Sequence, residues 1–277
     1  ILAQAIWAQA WLKPLLFRCG ATLRQPQSLR PAVDGARVAA CLQGCLAAAM
    51  PGDTWHLLTS LCIVLTNFGY ARPCLLAWRQ GERYKSMVFL SMLWASFFYH
   101  LYDTGLWSRR GHRWFNRTQL LDFLISYHLF LMMALVSLGP EDASAAAKAT
   151  GPAAIAARRW LWPRRLISLA MITGCMLRKR NAHLDNAANI PMVFALVFFW
   201  AGHYYLVLGH ALPEARVLRQ IARNIVLVVV GLAIYLFIQE VVGPYWFWHS
   251  AWHLLCSLGS WHILKTKESN REHGKTA

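Results

Sequence analysis

The feature that most constrains this chain is a succession of long apolar segments separated by short basic loops. Of its 277 residues, 57% are hydrophobic and only 14% are charged. A helix that crosses a bilayer needs about 20 mainly apolar residues, because its backbone polar groups must be hydrogen-bonded within the segment. The sequence therefore predicts an all-α, polytopic membrane protein, folded as a bundle of seven transmembrane helices.

Seven segments have the composition expected of transmembrane helices. They cover residues 55–78, 87–107, 119–138, 166–177, 190–208, 225–238 and 245–264. Lys and Arg are more frequent in the loops after the first, third and fifth segments and in the tail than in the remaining loops. This bias predicts an N-terminus outside the cell or in a lumen and a cytoplasmic C-terminus, in a plasma-membrane or endomembrane protein.

The segments divide the chain into three predicted parts. Residues 1–50 form a poorly defined lead, either interfacial or disordered, and residues 51–264 form the seven-span domain. Residues 265–277 form a polar C-terminal tail. The first residue is Ile, which suggests a fragment or a processed product.

The basic residues and the cysteines exclude several classes of function. The net charge is +16, but Lys and Arg occur in short clusters between apolar segments. Such clusters meet anionic lipid head groups, and no module of a nucleic-acid reader is visible, so we expect membrane lipid and not nucleic acid as the partner. The seven Cys contain no CxxC pair, which argues against a disulfide framework or a cysteine-based zinc site.

The last apolar segment opens with two histidines, His249 and His253, four residues apart. On a helix this spacing puts both imidazoles on one face, as two ligands of one metal ion require. Titratable side chains inside a membrane segment are costly without partners, so the pair indicates a functional site. Ser96 and His100 end the second segment and Asp122 opens the third. In an up-and-down bundle these three helix ends lie on the same membrane face.

These side chains suggest a specific chemistry. Three histidines and one water complete a tetrahedral zinc site, and zinc activates that water near neutral pH. Asp122 would then accept the proton of the water, and Ser96 would hold the water or an oxyanion. The alternatives are that Ser96 back-bonds to a helix carbonyl and that Asp122 caps its helix.

Two further acidic residues lie close to the predicted site. Asp103 either orients the imidazole of His100, as a carboxylate behind a metal ligand does, or caps its helix or pairs with Arg109. Glu240 either supports a histidine or pairs with a basic loop. The aromatic residues at the start of the last segment suit an interfacial belt; they include Tyr245, Trp246, Trp248 and Trp252. We expect His128 and His262 to be packing or interface histidines.

The pattern resembles a known superfamily. Ser96-x-x-x-His100, Asp122 on the next helix and a late His249-x-x-x-His253 are similar to the marks of the CREST superfamily of seven-helix membrane hydrolases, which includes alkaline ceramidases and adiponectin receptors. The segments 96–103 (SFFYHLYD) and 248–253 (WHSAWH) most resemble the branch that holds myomaker and the post-GPI attachment phospholipase.

The resemblance implies a zinc ion held by His100, His249 and His253, with Ser96 and Asp122 serving the activated water. The implied function is hydrolysis of an ester or amide bond in a lipid, namely a GPI-anchor acyl chain, a phospholipid or a ceramide. The alternative is a non-catalytic membrane-remodelling or receptor-like protein of the myomaker type, in which zinc only braces the bundle.

Overall fold

A computed structural model describes residues 52–107, 112–139, 152–179, 182–210, 212, 215–238 and 244–276. Within these ranges the chain is helical and contains no strand. The helices are α1 (Gly52–Thr66), α2 (Ala71–Arg79), α3 (Arg83–Asp103), α4 (His112–Leu138), α5 (Pro152–Leu177), α6 (Asn186–Gly202), α7 (Ala215–Ala233) and α8 (Tyr245–Thr276). The predicted all-α class is confirmed for this part of the chain. The lead of residues 1–50 lies outside it.

Three short segments of tighter or wider helix modify this arrangement. A 3-10 turn, Asn67–Tyr70, joins α1 to α2. Single π-helical turns extend α6 (His203–Val207) and α7 (Ile234–Ile238). Turns of π-helix are rare and are frequently found at functional sites.

Four helical segments are long and apolar enough to cross a membrane: Asp53–Arg79, Trp114–Leu138, Asn186–Val207 and Leu218–Ile238. This finding is consistent with a membrane protein. The first part of α8 is rich in Trp, His, Tyr and Ser, which are far less apolar than aliphatic residues, and α3 and α5 carry charged residues. Their composition keeps these three helices out of the set of four.

The predicted ends of three helices differ from the observed ends. α3 stops at Asp103, four residues before the predicted end, because Gly105 adopts a left-handed conformation with φ 76°. α5 begins at Pro152, well before the predicted residue 166. α8 continues through the predicted polar tail to Thr276, because a helix satisfies its own backbone hydrogen bonds whether its side chains are polar or apolar.

The buried side chains form two apolar clusters that share α4. One cluster packs α2, α3, α4, α7 and α8 together around Phe89, Met92 and Trp252. The other packs α4 against α5 and α6 around Ile172 and Trp200. Many large apolar side chains outside these clusters are exposed, as lipid-facing residues of a membrane bundle would be.

Glycines bring α8 close to its neighbours. A Cβ atom on Gly259 would lie 2.7 Å from Cγ2 of Val228 and 3.2 Å from its backbone nitrogen, and one on Gly231 would lie 2.8 Å from Sγ of Cys256. Small residues at such contacts let helix backbones approach closely. The position of α8, and with it the position of both its histidines, therefore depends on these contacts with α7.

Candidate metal centre

Three histidines meet between α3 and α8. The Nε2 atom of His100 lies 3.2 Å from Nε2 of His253 and 3.1 Å from Nε2 of His249, and the last two are 3.1 Å apart. All three side chains are buried, with exposed fractions of 0%, 4% and 0% for His100, His249 and His253. His249 and His253 share one face of α8, one turn apart, while His100 comes from the last turn of α3.

The three nitrogen atoms fit a tetrahedral zinc ion. With zinc–nitrogen distances of about 2.0–2.1 Å, ideal tetrahedral ligands stand about 3.3–3.4 Å apart, close to the observed spacing. Hydrogen bonds among the three imidazoles explain this triangular arrangement less well than a bound metal ion does. A neutral imidazole has a single N–H, so three Nε2 atoms that converge on one point cannot all be satisfied by each other. The buried donor set is the kind that binds a metal ion.

Asp103 lies behind His100. Its Oδ2 atom is 3.7 Å from Nδ1 of His100, within ion-pair distance but beyond a direct hydrogen bond. Thr104, and not Asp103, bonds to the end of α3: its hydroxyl and its backbone N–H both donate to the carbonyl of His100, at 2.7 and 3.0 Å. This geometry is compatible with the predicted orientation of His100 by Asp103 and argues against helix capping by Asp103. Arg109 and Glu240 lie outside the described residues.

Ser96 and Asp122 lie beside the three histidines and are buried, with exposed fractions of 0% and 4%. The polar neighbours of the Asp122 carboxylate include the Ser96 hydroxyl and His100. The Ser96 hydroxyl is not in hydrogen-bond geometry with the Asp122 carboxylate. Within the described residues, neither this hydroxyl nor Oδ1 of Asp122 has a hydrogen-bond partner. Buried polar atoms of this kind indicate a site that receives a ligand.

Both structural alternatives for these residues disagree with the observed geometry. Ser96 makes no bond to a helix carbonyl among the described residues. Asp122 lies well inside α4, which begins at His112, so it cannot cap that helix. A helix cap must stand at the first residue, where the backbone N–H groups have no partner.

A cavity of about 360 Å³ opens onto Asp122 and His249. Its lining also includes Ser126, four tyrosines and two residues with amide side chains, namely Tyr99, Tyr127, Tyr235, Tyr245, Gln119 and Asn186. A second cavity, of about 160 Å³, is almost entirely apolar and shares Tyr127, Phe130, Ile190 and Leu232 with the first. Together the two cavities would suit an amphipathic ligand whose polar part meets the histidines.

Hydrogen bonds fix one side of the polar cavity. The Gln119 amide donates to the Tyr99 hydroxyl at 3.3 Å, and His183 Nε2 lies 3.1 Å from the amide oxygen of Gln119. Burial lowers the pKa of His183 below its ordinary value, so the neutral imidazole donates in this contact. Beside it, partial burial would raise the pKa of Asp185, but hydrogen bonds and charge from Lys179 and Arg178 lower it.

Aromatic residues near the centre differ from the prediction. Trp252 is 4% exposed and contacts His249 and His253, with ring centroids 5.3 and 4.3 Å away, so it does not belong to an interfacial belt. Tyr235, from the π-helical turn after α7, stacks on Trp252 at 4.7 Å and lines the cavity. Sequence reasoning missed Tyr235 because a π-helical turn has no evident sequence signal.

Comparison with known proteins identifies a family. The family model described as "Protein of unknown function (DUF3522)" matches residues 55–254, which is well over half of the chain. The matched region includes both serine and carboxylate candidates and all three histidines: Ser96, His100, Asp122, His249 and His253. None of the curated proteins matches this chain. The chain belongs to the DUF3522 family.

Proposed function

We propose that this protein is a zinc-dependent membrane hydrolase that cleaves an ester or amide bond in a lipid. The observation that carries the proposal is the buried triangle of three histidine nitrogens, 3.1–3.2 Å apart, beside a carboxylate and a polar cavity that adjoins an apolar one. A zinc ion held by three neutral histidines supplies Lewis acidity and an activated water near neutral pH.

Three residues around the histidine triangle have the remaining roles in the proposed reaction. Asp122, buried beside the histidines and in the wall of the cavity, accepts a proton from the attacking water and returns it to the leaving group. Ser96 donates a hydrogen bond either to that carboxylate or to the oxygen on which negative charge develops. Asp103 positions the imidazole of His100 from behind.

The cavities favour a lipid substrate. The polar chamber near Asp122 and His249 suits the carbonyl group and the polar head, since phenols and amides line it. The adjoining apolar cavity, lined by residues of α4, α6 and α7 such as Val193 and Val229, suits an acyl chain. The proposal covers a GPI-anchor acyl chain, a phospholipid or a ceramide as the source of the bond.

The proposed membrane arrangement has seven spans. In addition to the four candidate spans, α3, α5 and α8 would each cross the membrane, since α3 packs on α4, α5 on α4 and α6, and α8 on α7. The N-terminus would be outside or in a lumen and the C-terminus in the cytoplasm. The histidines then lie near the outer or lumenal face.

A single experiment separates an enzyme from a scaffold braced by zinc. Detergent-solubilised wild-type protein is offered ceramides, glycerophospholipids and GPI-anchored substrates in turn, and released lipid is followed by mass spectrometry. The metal content is measured on the same sample. We expect about one zinc per chain and one lipid class cleaved. Protein that is loaded with zinc but releases nothing from any class would favour the scaffold.

His253→Ala is the companion variant, because it removes one of three ligands from the buried centre. We expect it to lose both zinc and turnover, and to lose stability, since metal binding is linked to folding. Zinc content equal to that of the wild type in this variant would remove His253 from the site.

A further inference from the structure

A chain of hydrogen bonds runs along one wall of the polar cavity. Nε2 of His183 lies 3.1 Å from Oε1 of Gln119, and Nε2 of Gln119 donates to the Tyr99 hydroxyl at 3.3 Å. Gln119 and Tyr99 both line the cavity, as Asp122 does. Gln119 stands three residues before Asp122 on α4, so the two side chains share one face of that helix. The chain of hydrogen bonds thus ends at a phenol of the cavity that holds the candidate reaction site.

The amide of Gln119 sets the direction of these hydrogen bonds. Its oxygen faces His183, so the imidazole must donate, and its nitrogen faces Tyr99, so the phenol oxygen must accept. A phenol carries one proton, and the contact with Gln119 does not use it. Within the described part of the chain, Tyr99 makes no other hydrogen bond. Its O–H group is therefore available to donate to a ligand.

Aromatic contacts hold both ends of the chain of hydrogen bonds in place. The ring of Tyr99 lies 4.7 Å from that of His100 and 5.7 Å from that of Phe115, centre to centre. The ring of His183 lies 5.9 Å from that of Phe123. Tyr99 and His183 are 9% and 7% exposed. A donor that is already held in its binding position loses less conformational entropy when a ligand arrives.

Two other hydroxyl groups are less suitable as donors to a ligand in this cavity. Ser96 is 0% exposed and is absent from the described residues that line the cavity. Tyr127 does line it, but its hydroxyl proton is already donated to Oδ1 of Asn186. Tyr99 both lines the cavity and retains its proton, one residue before the candidate metal ligand His100.

The adjoining apolar cavity indicates which ligand atom Tyr99 would meet. The two cavities share four lining residues, so an acyl chain in the apolar cavity would bring its carbonyl end into the polar one. We propose that Tyr99 donates a hydrogen bond to the carbonyl oxygen of the substrate's acyl group. Gln119 and His183 are then positioning residues, which keep the Tyr99 proton free for that oxygen. This inference rests on the proposed function, since it names the residue that holds the acyl group of the lipid.

A fatty acid is the probe for this inference, because hydrolysis of each proposed lipid class releases one. The full chain in detergent, with its zinc content measured, is incubated with oleate or with octadecene, which has a similar chain but no oxygen. Native mass spectrometry measures the retained ligand. We expect Tyr99→Phe to retain oleate about tenfold more weakly than the wild type, since it loses one hydrogen bond to a charged acceptor. Zinc content and octadecene retention should not change.

Equal oleate affinity of the wild type and Tyr99→Phe would overturn the inference, and so would a wild type that retains no oleate. Tyr102→Phe is the matched control. Tyr102 stands one turn later on α3, packs on Trp107 with ring centres 5.9 Å apart, and is not among the described residues of the cavity wall. It should retain oleate as the wild type does. A loss as large as that of Tyr99→Phe would show that the effect is not specific to Tyr99, and would also overturn the inference.

Gln119→Leu tests the positioning role. We expect it to weaken oleate retention by about threefold in the wild-type background, because the Tyr99 hydroxyl loses the partner that orients it. In the Tyr99→Phe background the same change should have no further effect, since Gln119 acts through that hydroxyl. A further loss of the same size would remove Gln119 from the proposed role. If Tyr99→Phe does not fold, Gln119→Leu decides alone, and unchanged oleate affinity would overturn the inference.

Oleate binding needs no turnover, so this inference and the proposed hydrolysis can fail separately. A wild type that releases lipid, but whose oleate affinity does not depend on Tyr99, would overturn the role of Tyr99 and leave hydrolysis in place. Oleate binding that depends on Tyr99, in a zinc-loaded protein that cleaves no lipid class, would support the acyl-group site and overturn hydrolysis.

Discussion

At the scale of single residues, Asp122 is the most informative position to change. Asp122→Asn keeps the size of the side chain but cannot accept a proton at neutral pH. We expect zinc content and folding to be retained while turnover falls by about 100-fold to 10,000-fold, the usual cost of losing a general base. Initial rates of lipid release, normalised to bound zinc, provide the measurement.

For the corresponding change at Ser96 we expect a smaller loss of turnover. Ser96→Ala removes a donor that stabilises charge at the reacting oxygen or at Asp122, and single donors of that kind contribute roughly 100-fold. If both variants release lipid at the wild-type rate, the two residues are structural and the hydrolytic proposal fails.

His183 makes stability depend on pH. Burial holds its pKa below the ordinary value, so the folded state favours the neutral imidazole that bonds to Gln119. Below about pH 6.5 the unfolded chain takes up a proton before the folded chain does, and stability therefore falls as the pH falls. Above that pH this contribution is fully present.

The stability of the variant His183→Gln should depend less on pH than that of the wild type. We expect its melting temperature to drop less than that of the wild type between pH 8 and pH 5.5, both measured with equal zinc content. His56→Gln, at an exposed histidine of α1, should follow the wild type. Identical pH profiles for wild type and His183→Gln would show that His183 does not contribute.

Residue spacing accounts for much of the candidate site. The interval of four between His249 and His253 predicts a shared helix face, and the depth of His100 and Asp122 in their segments predicts that they meet it. The tyrosines of the cavity were not predictable in this way. They come from four different helical segments, and only the packing of those segments determines that they line one chamber.

At the scale of elements, the close contact between α7 and α8 leads to a testable prediction about stability. Gly259→Val would push a side chain into Val228, including its backbone nitrogen 3.2 Å from the new Cβ. Overpacking of this kind typically costs about 1–3 kcal/mol. We expect a lower melting temperature and a lower affinity for zinc, since α8 carries two of the three histidines.

Gly174→Val on α5 is the matched control, because a Cβ there meets no atom within 4 Å among those described. It should melt close to the wild-type temperature. Equal melting temperatures for the two glycine variants would show that the close approach of α7 and α8 does not contribute to stability.

The helices themselves were largely predictable from the lengths of the apolar segments, but the residues at which they begin and end were not. The left-handed residue Gly105 ends α3 before the apolar stretch does, and α8 continues where the sequence turns polar. Both outcomes depend on backbone hydrogen bonds, which hydropathy does not report. The 3-10 turn Asn67–Tyr70 likewise divides the first predicted segment, residues 55–78, into two helices.

At the scale of the whole molecule, the seven-span proposal predicts on which side of the membrane each loop and the C-terminus lie. A glycosylation acceptor inserted between α3 and α4 should be modified, and one placed after Thr276 should not. The chain already contains the acceptor sequence Asn116-Arg117-Thr118 at the start of α4, so both insertions are made in an Asn116→Gln background. Mobility on gels before and after deglycosylation gives the result. Modification of both acceptors would contradict an odd number of spans between them.

The length of α8 has a mechanical consequence. Its 32 residues form one helix of about 48 Å, although a bilayer core is only about 30 Å thick. His249 and His253 stand at one end of this rod, and the other end projects beyond the apolar segment. A rod that tilts or turns moves both of its ends together. A force on the distal end would therefore move His249 and His253 relative to His100, which lies on a separate helix.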